Sequence, residues 1–330
     1  MLSKNEWDPL QKVIVGVADG ATIPPLDLSL RTVNYAHVTD DNEIPQGPYP
    51  QQVIDEANED LDLFCNFLIQ QGVEVLRVDR SVAPAYYNYC PRDSVLVHDD
   101  LILATPQPLR SRHNEYMAMN QFFKMEKKQG ARYIVKQAEK KDELYNTDCI
   151  RDKNTLALTN VEPCFDAANI LRDNDNLYYL VSNSGNKLGA AYLQEIVGTG
   201  KKVWPIEGLY SFMHIDSTIA LLREGLMLLN PTRVKSKEQL PKPLQSWDVI
   251  WAADPEDIGH YPGFCGSSAW LNINLFSINP NLVVMEQTQH NLRRQLEKYK
   301  IDCAMLPGRQ QRTLGGGFHC VTLDIVRKSN

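Results

Sequence analysis

No apolar run in this chain of 330 residues approaches the length of a membrane span, so no segment is expected to cross a bilayer. No basic block offsets the formal net charge of −7, which argues against nucleic acid or an anionic membrane surface as a partner. The seven cysteines are odd in number and include no CxxC pair, so reduced thiols are expected rather than a disulfide framework. Cysteine and histidine nowhere take zinc-like spacing, and no metal site is read from them. Residues 1–8 lack both the apolar core of a signal peptide and the basic character of a transit peptide. These absences predict a soluble, cytoplasmic protein. What is present is ordinary for a globular chain, 43% hydrophobic and 23% charged, and long enough for one large domain or two ordinary ones. No linker or low-complexity stretch divides it, so a single domain over 1–330 is expected.

The chain is organised around Leu314-Gly315-Gly316-Gly317-Phe318-His319-Cys320-Val321-Thr322. Three glycines permit close backbone approaches that side chains would block. The cysteine that follows opens an apolar, β-branched run, a placement that suits a nucleophile needing access and a lowered pKa. The alternative is a buried structural thiol beside a bend.

Upstream, a pattern repeats. Residues 93–97 and 101–104 read as strand, turn, strand, as do 169–171 with 177–181, 217–222 with 226–229, and 270–278 with 282–285. The run 320–326 is the opening strand of a fifth hairpin, whose partner could be 13–15 if the chain closes on itself. Helices are expected at 51–71 (ended by Gly72), 115–129, 188–197 and 287–299, with short strands at 73–78 and 202–204. The proline-rich segment 21–49 reads as an irregular surface excursion, and 111–160 as an insertion that lengthens the first interval. The last three hairpins recur at about 50 residues, a period that suggests a radial or stacked array.

Polar residues stand at the front edge of each hairpin: Arg92 and Asp93, Glu162 and Asp166, His214 and Asp216, Ser267 and Ser268, His319 and Cys320. In a radial array these edges converge. A thiol with a histidine and several carboxylates carries too much negative charge for acyl chemistry but suits a planar cation, and guanidinium binds carboxylates bidentately. Such a cation would also help lower the thiol pKa. Attack of the thiolate on the guanidino carbon splits one displacement into two, with His214 moving the proton. Other readings stay open at each position. Asp93 could pair with its neighbour Arg92, Asp166 could cap a turn, and His214 could be a satisfied core histidine, although Asp216 is expected on its strand face. Alternation turns His319 away from Cys320, and no catalytic role is read for it.

Asn5-Glu6-Trp7-Asp8-Pro9-Leu10, Pro91-Arg92-Asp93, Glu162-Pro163-Cys164-Phe165-Asp166-Ala167-Ala168, Met213-His214-Ile215-Asp216 and Gly315-Gly316-Gly317-Phe318-His319-Cys320 together resemble the glycine amidinotransferase family. The likeness runs over nearly the whole chain and includes Arg110-Ser111-Arg112, Asp142-Glu143-Leu144-Tyr145-Asn146 and Leu229-Asn230-Pro231. It implies an α/β fold, the five-bladed pseudosymmetric propeller of pentein-type ββαβ repeats. It also implies transfer of an amidino group from L-arginine to an amine acceptor through a covalent cysteine intermediate, without metal or organic cofactor. By the same resemblance Cys320 is the nucleophile, His214 the general acid/base and Asp166 its orienter. Asp93 and Asp216 would hold the guanidinium, while Arg233 and Ser268, beside Ser267, would meet the donor carboxylate. A homodimer is compatible with this reading.

Two departures bear on the acceptor. The animal members of the family have Asn-Pro where Ser211-Phe212 precede Met213-His214, and Lys where this chain has Ala269. Phe212 and Met213 are therefore candidate acceptor contacts, and an amine with more carbon skeleton than glycine is expected, unless Phe212 packs into the core behind the loop. The stretch 5–16 also looks like the amidinotransferases of guanidino-alkaloid toxin pathways such as saxitoxin and cylindrospermopsin. Guanidinoacetate synthesis, hydrolysis of arginine by a superfamily relative, and an inactive arginine-binding module are the competing readings.

Overall fold

A computed structural model describes residues 2–136 and 140–328, which includes the 111–160 insertion apart from 137–139. Five of the expected hairpins form, and each gains a third strand parallel to its second. Val95–His98 pairs antiparallel with Leu101–Ala104, which pairs in parallel with Arg132–Val135. The same order holds for Ile170–Asp173, Asn176–Leu180 and Lys202–Ile206. It recurs in Ile219–Arg223, Leu226–Leu229 and Asp248–Trp251, and in Phe276–Asn279, Leu282–Glu286 and Asp302–Leu306. In the fifth sheet Thr322–Arg327 pairs antiparallel with Leu10–Val15, which pairs in parallel with Glu74–Arg77. The two ends of the chain thus meet in one sheet, as the partnerless strand after Cys320 required.

A helix or loop carries the chain from each second strand back to the parallel third, because a parallel partner needs a crossover. Gln51–Gln70 is the longest such helix; Val53, Ile54, Ala57, Leu61, Phe64 and Leu68 form its buried stripe, and Gly72 at φ +79° ends it. Lys187–Val197 is capped by Asn186, whose side chain accepts from the Gly189 N–H. The expected helix 115–129 divides into a 3₁₀ segment, Glu115–Met119, and the α-helix Asn120–Lys128.

Two expectations change. Residues 21–49 are not merely a surface excursion: Asp27 caps the helix Leu28–Val33, in which Ser29, Leu30, Arg31, Thr32 and Val33 are buried. The polar front edges are not strand ends either. A short helical turn precedes each strand: Pro91–Ser94, Ala167–Asn169, Ile215–Ser217 and Ala269–Ile273, with Gln311–Leu314 and the glycine loop ahead of the last. Each turn packs on the next in that order, and Pro91–Ser94 also packs on Thr322–Arg327. The front edges therefore do converge, but on turns whose side chains follow no two-residue alternation.

Beneath this ring lies a buried ionic layer. Arg172 reaches Glu6 at 2.6 Å and Asp324 at 2.8 Å, Arg92 reaches Asp324 at 2.8 Å, and Arg327 pairs with the same carboxylate. Arg92 thus belongs to Asp324 and does not neutralise its neighbour Asp93. Among the described residues the buried apolar side chains form five separate clusters.

Candidate active site

Cys320 lies two residues before its strand, 3% exposed. Each preceding glycine is needed by contact. A Cβ on Gly316 would come within 2.4 Å of the Cys90 sulfur, and one on Gly317 within 2.8 Å of the Asn274 backbone oxygen, while Gly315 takes φ +84°. The close packing seats Cys320. The Cys320 sulfur lies 3.2 Å from Asp216 Oδ2 and accepts from Asn274 Nδ2 at 3.2 Å. The neighbouring Cys90 thiol, burial and the Asp216 charge hold the Cys320 pKa well above an ordinary thiol, against a lowering contact with His214.

His214 precedes the Ile215–Ser217 turn at φ +54°, a conformation rare for a residue with a Cβ and worth about 1–3 kcal/mol of strain. Its own N–H is held by Asn169 Oδ1 at 3.2 Å. The ring places Nε2 3.0 Å from Asp166 Oδ2 and Nδ1 3.8 Å from Asp93 Oδ1. Burial pushes the imidazole pKa down, but Asp93 and Asp166 more than reverse it and leave it well above the ordinary value. Asp166 makes no side-chain cap to the turn it precedes; its other oxygen accepts from Gln107 at 3.3 Å.

Asp93 is 2% exposed and held by Arg112 at 2.9 Å, itself clamped by Glu115 and lying over the Tyr87 ring. Burial raises the Asp93 carboxyl despite the charges of His214 and Arg112. Its Oδ1 is buried without a hydrogen-bond partner among the described residues. A buried carboxylate oxygen left open is an acceptor waiting for a donor. Asp216, by contrast, is drawn down to about 2: burial opposes ionisation, and the contacts with His319 and His214 outweigh it. His319 Nδ1 lies 2.8 Å from Asp216 Oδ2 and Nε2 lies 3.4 Å from Glu6, so this ring faces the site after all, through Asp216.

Arg233 stacks 3.7 Å from the Tyr210 ring centroid, donates to Ser217 and Thr218, and reaches Ser268 Oγ at 3.4 Å. Ser267 Oγ is buried and unpartnered among the described residues. His214 and Asp216 do not share a strand face: the tight turn sends the first toward Asp166 and the second toward Cys320. Met213 and Phe212 are half-buried, and Phe212 meets exposed His37 edge-on at 5.7 Å rather than packing into the core. Asn274, Arg112, Gln107 and Asn169 escaped the sequence reading. Their partners are distant in the chain; Arg112 stands in the Arg110-Ser111-Arg112 stretch without a role read for it, and Asn274 lies inside the run 270–278 that reads as a strand.

A thiol, an imidazole and several carboxylates thus meet at the turns ahead of the strands. No known family profile matches the sequence. It is 40% identical over 336 residues to inosamine-phosphate amidinotransferase 1 of Streptomyces glaucescens, covering 98% of this chain and 95% of that protein. The structure matches inosamine-phosphate amidinotransferase StrB1 of Streptomyces griseus with a TM-score of 0.94 at 39% identity, over 100% of this chain and 97% of the other. It also matches SxtG, an amidinotransferase of Microseira wollei in the saxitoxin biosynthetic pathway, with a TM-score of 0.87 at 28% identity over 100% and 98%. The protein belongs to the amidinotransferase family.

Proposed function

We propose that this protein moves the amidino group of L-arginine to a primary amine by way of an amidino-Cys320 intermediate and releases L-ornithine. The observation that carries the reading is the pair of carboxylates at the histidine and the thiol, the open Asp93 oxygen facing His214 and Asp216 against the Cys320 sulfur. A guanidinium bound between them supplies the positive charge that favours loss of the thiol proton to solvent. The thiolate attacks the guanidino carbon, the bond from that carbon to the ornithine nitrogen breaks, and His214, its pKa raised by Asp93 and Asp166, protonates the departing amine. The acceptor amine then gives its proton to His214 and attacks the same carbon. The carbon–sulfur bond breaks and the thiolate returns. Arg233, with Ser267 and Ser268 beside it, meets the donor carboxylate, and Asp166 keeps the imidazole aimed.

In this reading 1–330 is one catalytic domain, working in the cytoplasm, with the five sheets set as blades about the axis on which the turns converge. The acceptor is an amine larger than glycine, met by Phe212 and Met213, in the biosynthesis of a guanidino natural product such as a toxin. Half-exposed Phe212 at the mouth and relatives named for inosamine phosphate and for saxitoxin support it. The test is intact-mass measurement with arginine alone, then with added amines. One amidino group gained on Cys320, and ornithine accumulating only when an amine is present, are expected. Citrulline formed from arginine alone would replace transfer with hydrolysis, and no adduct would remove the covalent route.

A further inference from the structure

The Asn274 side chain touches Cys320 twice. Its Oδ1 accepts from the Cys320 backbone N–H at 3.0 Å, and its Nδ2 lies 3.2 Å from the sulfur. Amide oxygen and nitrogen are often interchangeable in a structure, but here the backbone N–H can only donate, so the oxygen must face it and the NH₂ must face sulfur. Both residues are buried, Asn274 2% exposed and Cys320 3%. A neutral thiol gains little from a donor aimed at its sulfur; a thiolate gains a charge-assisted hydrogen bond. The remaining neighbours of the sulfur do not supply a second fixed donor. Asp216 offers only a carboxylate, Cys90 raises the thiol pKa, and His214, whose contact lowers it, must give up its proton during the reaction and so is not a fixed donor.

We propose that Asn274 is a further catalytic residue, the fixed donor that stabilises the Cys320 thiolate when it forms and again when it leaves the amidino carbon. The same amide holds the backbone of the glycine loop, so the donor and the sulfur keep one geometry through both half-reactions. The inference rests on the amidinotransfer reading for its place in the reaction, although the stabilisation itself can be measured without substrate.

The experiment follows iodoacetamide labelling of Cys320 against pH in the whole enzyme, read on the Cys320 peptide by mass spectrometry, beside kcat and KM for arginine. Asn274→Asp keeps an oxygen for the backbone N–H and replaces the donor at sulfur with an acceptor. Its labelling midpoint is expected to rise by about one pH unit or more and kcat to fall about tenfold or more, with KM for arginine little changed. Asn274→Ala, which removes both contacts, should move the midpoint in the same direction. An unchanged or lowered midpoint in folded Asn274→Asp overturns the proposal. If the midpoint shifts while arginine leaves no adduct on wild-type Cys320, this inference stands and the amidinotransfer reading falls. If the adduct forms and the midpoint does not move, only this inference falls.

Discussion

Asp93 and Asp216 are both buried carboxylates beside the same histidine, yet burial prevails at the first and its charged partners at the second. Asp216 is held ionised by His319 and His214, while Asp93 keeps one oxygen unsatisfied and its carboxyl raised. A guanidinium relieves the second and finds the first already charged. Asp93→Asn should therefore raise KM for arginine about tenfold to a hundredfold, since a hydrogen bond to a charged partner is worth about 1.5–3 kcal/mol. Arg112 remains paired with Glu115 in that variant, so thermal stability should change far less than KM. Cys320→Ala should lower turnover by at least about a thousandfold while calorimetry still detects arginine binding. A variant that kept more activity than that would end the covalent mechanism.

At the scale of the element, the turns decide function. The 315–317 loop has no room for added atoms: Gly317→Ala would force a Cβ against the Asn274 backbone, and overpacking of this kind costs about 1–3 kcal/mol. Denaturant titration should show the lower stability, and kcat should fall with it because Asn274 holds Cys320. The segment 211–214 is tied down differently, by the Asn183 N–H donating to Ser211 O at 2.8 Å. Phe212, packed edge-on to His37, is only half-buried beside Met213 and His214. Phe212→Pro should reduce kcat/KM for longer amines relative to glycine. Glycine as the best acceptor of the wild type would overturn the pocket argument.

The whole molecule is held at its centre by charge. Burial opposes ionisation of Glu6 and Asp324, but the arginines around them, with His319 at Glu6, keep both carboxyls well below their ordinary range. Depressed carboxyl pKa values stabilise the fold above the unfolded values and lose that contribution as pH falls through the folded ones. With Asp216 also drawn down to about 2, stability measured by chemical denaturation should be full near pH 6 and decline steadily from about pH 4.5 toward 2. His214 works the other way: its raised pKa adds stability present below about pH 6.5 that is lost as pH rises through its folded value. Glu6→Gln leaves Arg172 and Asp324 without their third partner and should cost about 3–5 kcal/mol.

Hydrophobic runs, turn residues and a 50-residue recurrence were enough to read five hairpins and the pairing of the chain's two ends, because strand formation and burial are written in local pattern. Residue type was enough to name Cys320, His214, Asp166, Asp93 and Asp216 as a set, since a thiol, an imidazole and carboxylates have few shared chemistries. The contact of Asp166 with His214 was expected from the resemblance, but the partners of Asp93 and Asp216 were not legible. The turns before the strands break the two-residue period, so His214 and Asp216 part company and His319 swings toward the site. Asn274, Arg112 and the Glu6–Arg172–Asp324 layer act across gaps of up to 166 residues along the chain. Local sequence sets what each segment can become; only the packing of five sheets decides which side chains share a buried volume, and there the pairing of charges is chosen.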